Sequence, residues 1–563
     1  MVGGRFCGSN VSETEGYVVL AVVKEVPREQ EWTDFVFSNN KLYRWLRYEA
    51  PAGSHGHLGE LEFYAGTRRL DGQRFASTGG SRNGRGWHFA FDGDPATWVD
   101  TEEADGQYAG VDLRDYATAR IPRFSPPPVP GVQKPERVTL TGLTPYATIR
   151  YTLDGTIPTA TTGELFEKPI AIDKNTTLIA ASFVEGWAPS PPIIGTYLIG
   201  EAQPGLRTLH LGSTQAEITA QFGAYVRTAG RPHFYRNFTM PGGSTQRLWE
   251  SGLAQRKRDW DIALGVLDKV DHVTLQPRDF DVAREVDFER KFLGLVREKS
   301  PDVQPWLVAE WVERERQRPT DQALVPSPQM ATLVPPLTWE ESMGAMLLYV
   351  EDVQSKLNEV EKAGKRARVL PTNLAFGWIK NQIDRGEFPD AKPGSFYQLL
   401  FRDSVHPNLN GAYLVNLTWY AAFYGESPEG KVLPIALNLT PEQATAMQRL
   451  AWDVIKNHPA AGLYEEGAEP VGKPEMSPSP AVPLKDITAV TLNSTTPGAW
   501  FRYTLDGTPP TRTNGYVYCG VISVRPGMTV KAVAFKSGMK DSAAIEAKYY
   551  TALGAKPPVP PKP

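Results

Sequence analysis

The spacing of apolar residues divides the chain into stretches of two kinds. At 149–159 the sequence IRYTLDGTIPT alternates apolar and polar residues around Asp154-Gly155, and FRYTLDGTPPT at 501–511 repeats it around Asp506-Gly507. The triplet VTL at 138–140 recurs at 490–492 with the same offset of 352 residues. Alternation of period two around an Asp-Gly turn is a hairpin pattern, so each copy is expected to form a small β-sandwich. Similar runs near 17–23, 43–48 and 60–64 predict strands in the first 122 residues.

Between 204 and 466 the period lengthens. Short apolar runs at 207–211, 233–239, 271–276, 306–312 and 366–370 predict strands, alternating with helical patterns at 215–228, 244–266, 286–298, 338–364 and 410–424. Such alternation predicts an α/β domain, a parallel sheet covered by helices on both faces, with its site at the carboxyl ends of the strands.

Proline clusters at 123–131 and 468–483, and again in the tail at 556–563, favour extended chain and read as two linkers and an exposed end. The expected division is therefore 1–122, 132–200, 204–466, 485–552 and a Pro-rich tail, 553–563. A length of 563 residues agrees with several domains rather than one core. With 60 basic and 64 acidic residues the net charge is −4, which lacks the cationic surplus a nucleic-acid partner requires. No apolar run approaches the ~20 residues of a membrane span, and MVGGRFCGSN carries no secretory leader pattern. Two cysteines, Cys7 and Cys519, exclude a disulfide scaffold and a cysteine zinc site. His55-Gly56-His57 has no third ligand, Asp92-Gly93-Asp94 reads as a turn, and Asp259, Asp261 and Glu310 lack the spacing of a glycosidase pair. No metal or cofactor is expected.

Two resemblances extend this reading. The YTLDGT segments, with the Thr-rich strand and Gly…Ser pattern that follow each, resemble the chitobiase/β-hexosaminidase C-terminal module over about 65 residues in each copy. That resemblance implies a spacer and support beside a catalytic domain. YRWLRYEAP with LGELEFY (43–64) resembles the closing half of a discoidin-like (coagulation-factor type C) jelly roll, and AFDGDPATWVD (90–100) with YAGVDL (108–113) resembles the opening half. The halves stand in reversed order, which leaves open a partial domain or a permuted sandwich.

At the expected strand ends stand Gly212-Ser213-Thr214, Pro241-Gly242-Gly243 and Gln276-Pro277, and Asp403-Ser404-Val405-His406 precedes the last helical run. In this order, 206–457 resembles the SGNH (GDSL-like) hydrolases, which implies a flavodoxin-like parallel sheet. It further implies a hydroxyl nucleophile at Thr214 or Ser213, an Asp403/His406 pair, and oxyanion donors at Gly242 and Gln276. A hydroxyl needs an adjacent base. His406 would take its proton, Asp403 would hold the imidazole, and backbone N–H groups with the Gln276 amide would stabilise the oxyanion. The family places Ser third in Gly-Asn/Asp-Ser, whereas Thr214 is third here and Ser213 second. Thr is stiff at χ1 and brings a methyl to where the substrate carbonyl approaches. Asp403 also has a structural alternative, as cap of the helix near 408–424.

Two functions follow from the resemblance. One is a carbohydrate-directed esterase or deacetylase acting on an acylated glycan or polysaccharide without a cofactor. The other is a non-catalytic pseudo-hydrolase serving as a glycan-binding or extracellular scaffold protein. The module types imply an extracytoplasmic or secreted location.

Overall fold

The computed structural model describes the chain except residues 29–30, 39–40, 115–117, 130–131, 201–204, 214–220, 241, 314–336 and 552–563. The chain forms two compact units, Met1–Gly200 and Glu201–Pro563.

In the first unit, five antiparallel strands lie in the order Val18–Val22, Arg5–Ser9, Trp45–Glu49, Tyr108–Asp112, Gln73–Ala76. Trp45–Glu49 and Tyr108–Asp112, one from each jelly-roll-like segment, pair directly, with Tyr48 opposite Ala109. Tyr48, Leu58, Leu61 and Phe63 share a core with Ala90, Val99 and Val111, so the two segments make one folded body. Of the run at 60–64, only Tyr64 enters a strand, Tyr64–Ala65, while Leu61 and Phe63 reach the core from irregular chain.

Residues 123–199 form two sheets around one core of Phe124, Val138, Leu140, Ile149, Tyr151, Leu178 and Tyr197. Arg123–Ser125 pairs with Glu136–Thr141, and 352 residues later Glu475–Ser477 pairs with Thr488–Asn493. The repeat therefore begins inside the stretches that read as linkers. Pro has no N–H to donate, but the three residues ahead of Pro126 and Pro478 keep theirs and join the ladder.

The second unit is built on a five-stranded sheet paired in parallel throughout. Its spatial order is Phe234–Thr239, Arg207–Gly212, His272–Leu275, Gln304–Val308, Arg368–Leu370. Chain order thus reverses between the first and third strands. In open sheets of this kind a switch point is where ligand sites are expected, outside the carboxyl ends of the strands. Helix starts are defined locally. Thr338 with Glu341 and Thr440 with Gln443 make capping boxes for Trp339–Val360 and Pro441–Asn457. Asn408 caps Leu409–Tyr424, a helix buried almost all round.

The second β-sandwich belongs to this unit. Its Trp500 ring lies 4.5 Å from that of Trp378 on helix Thr372–Asp384. Among the described residues no helix is long and apolar enough to cross a membrane.

Candidate active site

The chain from Phe401 to Asn408 is folded back on itself: Phe401 bridges Pro407, and Arg402 N–H donates to the His406 carbonyl. Inside this loop His406 Nδ1 lies 2.9 and 3.0 Å from the two Asp403 oxygens. Asp403 Oδ1 also accepts the backbone N–H of Val405 at 2.9 Å and of His406 at 2.6 Å. Burial pushes the Asp403 carboxyl up, but these backbone donors and the His406 ring outweigh it and hold it at about 2. An ionised carboxylate at Nδ1 keeps the ring proton there and leaves Nε2 as a proton acceptor. The helix that follows is capped by Asn408, which accepts from Asn410 and Gly411 N–H. Asp403 is not its cap.

The turn after the first strand is held from the third. Ser213 N–H donates to Gln276 Oε1 at 2.6 Å. Because an N–H can only donate, Gln276 presents its oxygen here and turns its NH₂ the other way. A Cβ on Gly212 would lie 1.9 Å from that oxygen, so only glycine allows the approach. Ser213 itself is buried, 1% exposed, with Oγ 3.5 Å from Glu310 Oε1. Its N–H is therefore committed to Gln276 rather than to an oxyanion. Gly242 takes φ 60° with open space where a side chain would stand, and Gly243 N–H closes the turn onto the Met240 carbonyl at 2.8 Å. Thr214 lies outside the described residues.

What links the two halves is a segment that sequence reasoning left without a role. Glu310 faces Ser213 with one oxygen and lies 3.6 Å from Arg278 Nε with the other. Trp311 Nε1 donates to the Val405 carbonyl at 2.6 Å, and Ser404 Oγ donates to Glu313 at 2.9 Å. Neighbouring residues of one extended segment thus hold the Ser213 turn on one side and the Asp403–His406 loop on the other. The run at 306–312 reads as one strand, but the strand ends at Val308, which puts Glu310 beyond its carboxyl end. The available signal was a carboxylate directly after an apolar run, WLVA at 306–309. Asp259 and Asp261 instead pair with Arg256 and Lys257 on and beside a surface helix. Among the described residues no group of three His, Cys, Asp or Glu side chains is placed to hold a metal ion.

Comparison with known proteins bears on the repeats. The family model of the chitobiase/beta-hexosaminidase C-terminal domain matches residues 128–193 and 484–546. It leaves the discoidin-like segment unmatched. No curated protein is significantly similar to the chain. Among solved structures, the chain is similar to a candidate SGNH hydrolase from Slackia heliotrinireducens, at 14% identity over 38% of this chain and 96% of that one, TM-score 0.24. It is also similar to a candidate GDSL-like lipase from Parabacteroides merdae, at 13% identity over 40% and 99%, TM-score 0.26. A third is a carbohydrate esterase family 2 enzyme with a carbohydrate binding domain from Corynascus thermopiles, at 12% identity over 40% and 76%, TM-score 0.19.

Proposed function

We propose that the α/β region is an SGNH-type hydrolase-like domain of flavodoxin-like layout that removes acyl groups from glycans. It would work with two chitobiase-type sandwiches (132–200 and 485–552) and a discoidin-like jelly roll, partial or permuted (1–122), in an extracytoplasmic protein. The observation that carries this reading is the grip of Asp403 on His406 Nδ1. It prepares Nε2 as a general base on a loop tied through Trp311 and Glu313 to the segment beyond the carboxyl end of strand Gln304–Val308.

In this mechanism His406 Nε2 takes the proton of the Thr214 hydroxyl as its oxygen attacks the ester carbonyl carbon. Gly242 N–H and the Gln276 NH₂ donate to the oxyanion. The imidazolium returns its proton to the departing sugar oxygen, and water then repeats the sequence on the acyl-enzyme. Ser213 is the lesser nucleophile, since its hydroxyl is buried beside Glu310.

That same burial supports a second reading, a pseudo-hydrolase that binds acylated glycan without turnover. Hydrolysis of p-nitrophenyl acetate and of acetylated sugars by the full chain, lost in His406→Ala, supports the esterase. Retention of acetylated glycan with no turnover by wild type supports the binding protein instead.

A further inference from the structure

The two sequence repeats differ in what surrounds them. In the second copy Arg502, Thr504, Val517, Cys519 and Ser523 are all buried. Their counterparts 352 residues earlier, Arg150, Thr152, Leu165, Glu167 and Ala171, are half-buried or exposed. Each arginine donates to the equivalent carbonyl of its own copy, Arg150 to Gly163 and Arg502 to Gly515, both at 2.9 Å. Only Arg502 goes on to make a two-pronged ion pair, with Glu351 on helix Trp339–Val360. Two glycines let the second copy come this close. A Cβ on Gly344 would lie 2.5 Å from the Val517 carbonyl, and one on Gly377 would lie 3.2 Å from Cys519 Cβ.

At the start of the long helix this docking meets the candidate site. Glu341 accepts from Ser523 N–H at 2.6 Å and Ser523 Oγ at 2.9 Å, while also closing the capping box with Thr338. Within the same turn Trp339 Nε1 donates to the Val312 carbonyl at 3.0 Å, and Val312 N–H lies 3.3 Å from Met343 Sδ. Val312 stands between Trp311 and Glu313, the two residues that hold the Asp403–His406 loop.

We propose that Glu341 is a positioning residue through which the C-terminal sandwich sets the 309–313 segment, and with it the placement of His406 relative to the first-strand turn. This rests on the reading of that site given above. In this role the sandwich is part of the hydrolase-like unit rather than a spacer.

The test is amide hydrogen exchange on the full chain, comparing wild type with Ser523→Ala, Ser523→Thr and Glu341→Gln. Ser523→Ala removes one donor to a buried carboxylate, so exchange across 309–313 should speed by roughly tenfold or more, with Arg207–Gly212 unchanged. Ser523→Thr keeps the hydroxyl and should restore protection. Unchanged exchange at 309–313 in both Ser523→Ala and Glu341→Gln, even with a lowered melting temperature, would overturn the proposal and leave the sandwich a packing partner only. If exchange responds as expected but no ester is turned over by wild type, the positioning role stands and the esterase reading falls.

Discussion

The Asp403 carboxylate holds both the His406 ring and the backbone that carries it, accepting from Nδ1 at 2.9 and 3.0 Å and from the backbone N–H at 2.6 Å. A spacing of three residues allows this because the short loop brings the His406 backbone N–H and ring onto one acceptor. The pairing has two consequences. It selects the tautomer with Nε2 free to accept a proton, and it makes that selection depend on the charge of Asp403.

Asp403→Asn should therefore keep the turn and lose the tautomer. The ¹⁵N shifts of His406 should move away from the Nδ1-protonated form, and ester hydrolysis should fall by roughly 10⁴-fold, as in other His–Asp pairs. The pH dependence follows from a carboxyl held at about 2. Its folded value is depressed, so its contribution is complete above the ordinary carboxylate range and is lost as pH falls toward 2. His406 shifts that ignore the substitution would refute the pairing whether or not the protein is an enzyme.

Thr214→Ser removes a methyl and keeps the hydroxyl. If Thr214 is the nucleophile in an intact site, kcat on p-nitrophenyl acetate should rise severalfold. Turnover that appears only in this variant identifies a decayed enzyme with its pocket preserved. A rate that falls instead would mean that the threonine side chain is itself required.

Three histidines cluster at the central sheet: His210 on Arg207–Gly212 is buried, whereas His233, just ahead of Phe234–Thr239, and His272 on His272–Leu275 are half-buried. His210 bonds Thr208 and Thr274, His233 bonds Thr208 and Tyr424, and His272 Nδ1 accepts from Trp306. Burial lowers all three, to about 3 for His233 and about 4 for His272. Between the ordinary value and these, the unfolded chain holds protons the folded chain does not, so stability falls as pH drops through that window. At pH 5 the cost is on the order of 2 kcal/mol for each of His233 and His272. Glu289 and Asp352, raised by burial, push the other way, so the diagnostic is a difference between variants. His272→Asn keeps an acceptor for Trp306 and should lose less stability than wild type between pH 7.5 and 5 in urea titrations. Equal losses would show that the fold does not hold His272 neutral.

The parts of the fold that rest on local pattern are legible in the sequence. The parts that rest on packing are not. The period change after 204, the strands Thr148–Thr152 and Trp500–Thr504 of the repeats and the Asp-x-x-His loop are all short-range features, and the strands Arg207–Gly212, Phe234–Thr239 and His272–Leu275 lie within a residue of the runs that predict them. The tight hairpins expected at Asp154-Gly155 and Asp506-Gly507 are not formed: each Asp-Gly opens a long connection, 153–163 or 505–515, before the partner strand. Glu310 was hidden because the apolar run continues past the point where the chain leaves the sheet, and run length alone does not mark that departure. The strands ahead of Pro126 and Pro478 were hidden by their proline neighbours. Least visible was the docking of the second repeat, since Arg150 and Arg502 occupy identical motifs. Only the exchange of Glu167 for Cys519, a charge against a small apolar side chain, hints that one copy is covered.

That difference between the copies gives the sharpest stability experiment. Arg502→Met would leave Glu351 without its two-pronged partner, next to His458 at 3.2 Å, whose imidazole burial lowers to about 4. Burial, the larger of the two causes that lower His458, remains in the variant and opposes its protonation, so the loss should be about 3–5 kcal/mol in urea unfolding. Arg502→Met combined with Glu351→Met removes the stranded carboxylate and should recover most of that loss. It should not recover all of it, because the carbonyls of Arg512 and Gly515 lose the donors that Arg502 gave them. Arg150→Met is the internal control, with the same motif and the same carbonyl contact but no carboxylate partner among the described residues, and it should cost under about 1 kcal/mol. Equal costs at Arg150 and Arg502 would mean that the Glu351 pair contributes nothing, and the C-terminal sandwich would then be held by its apolar contacts alone.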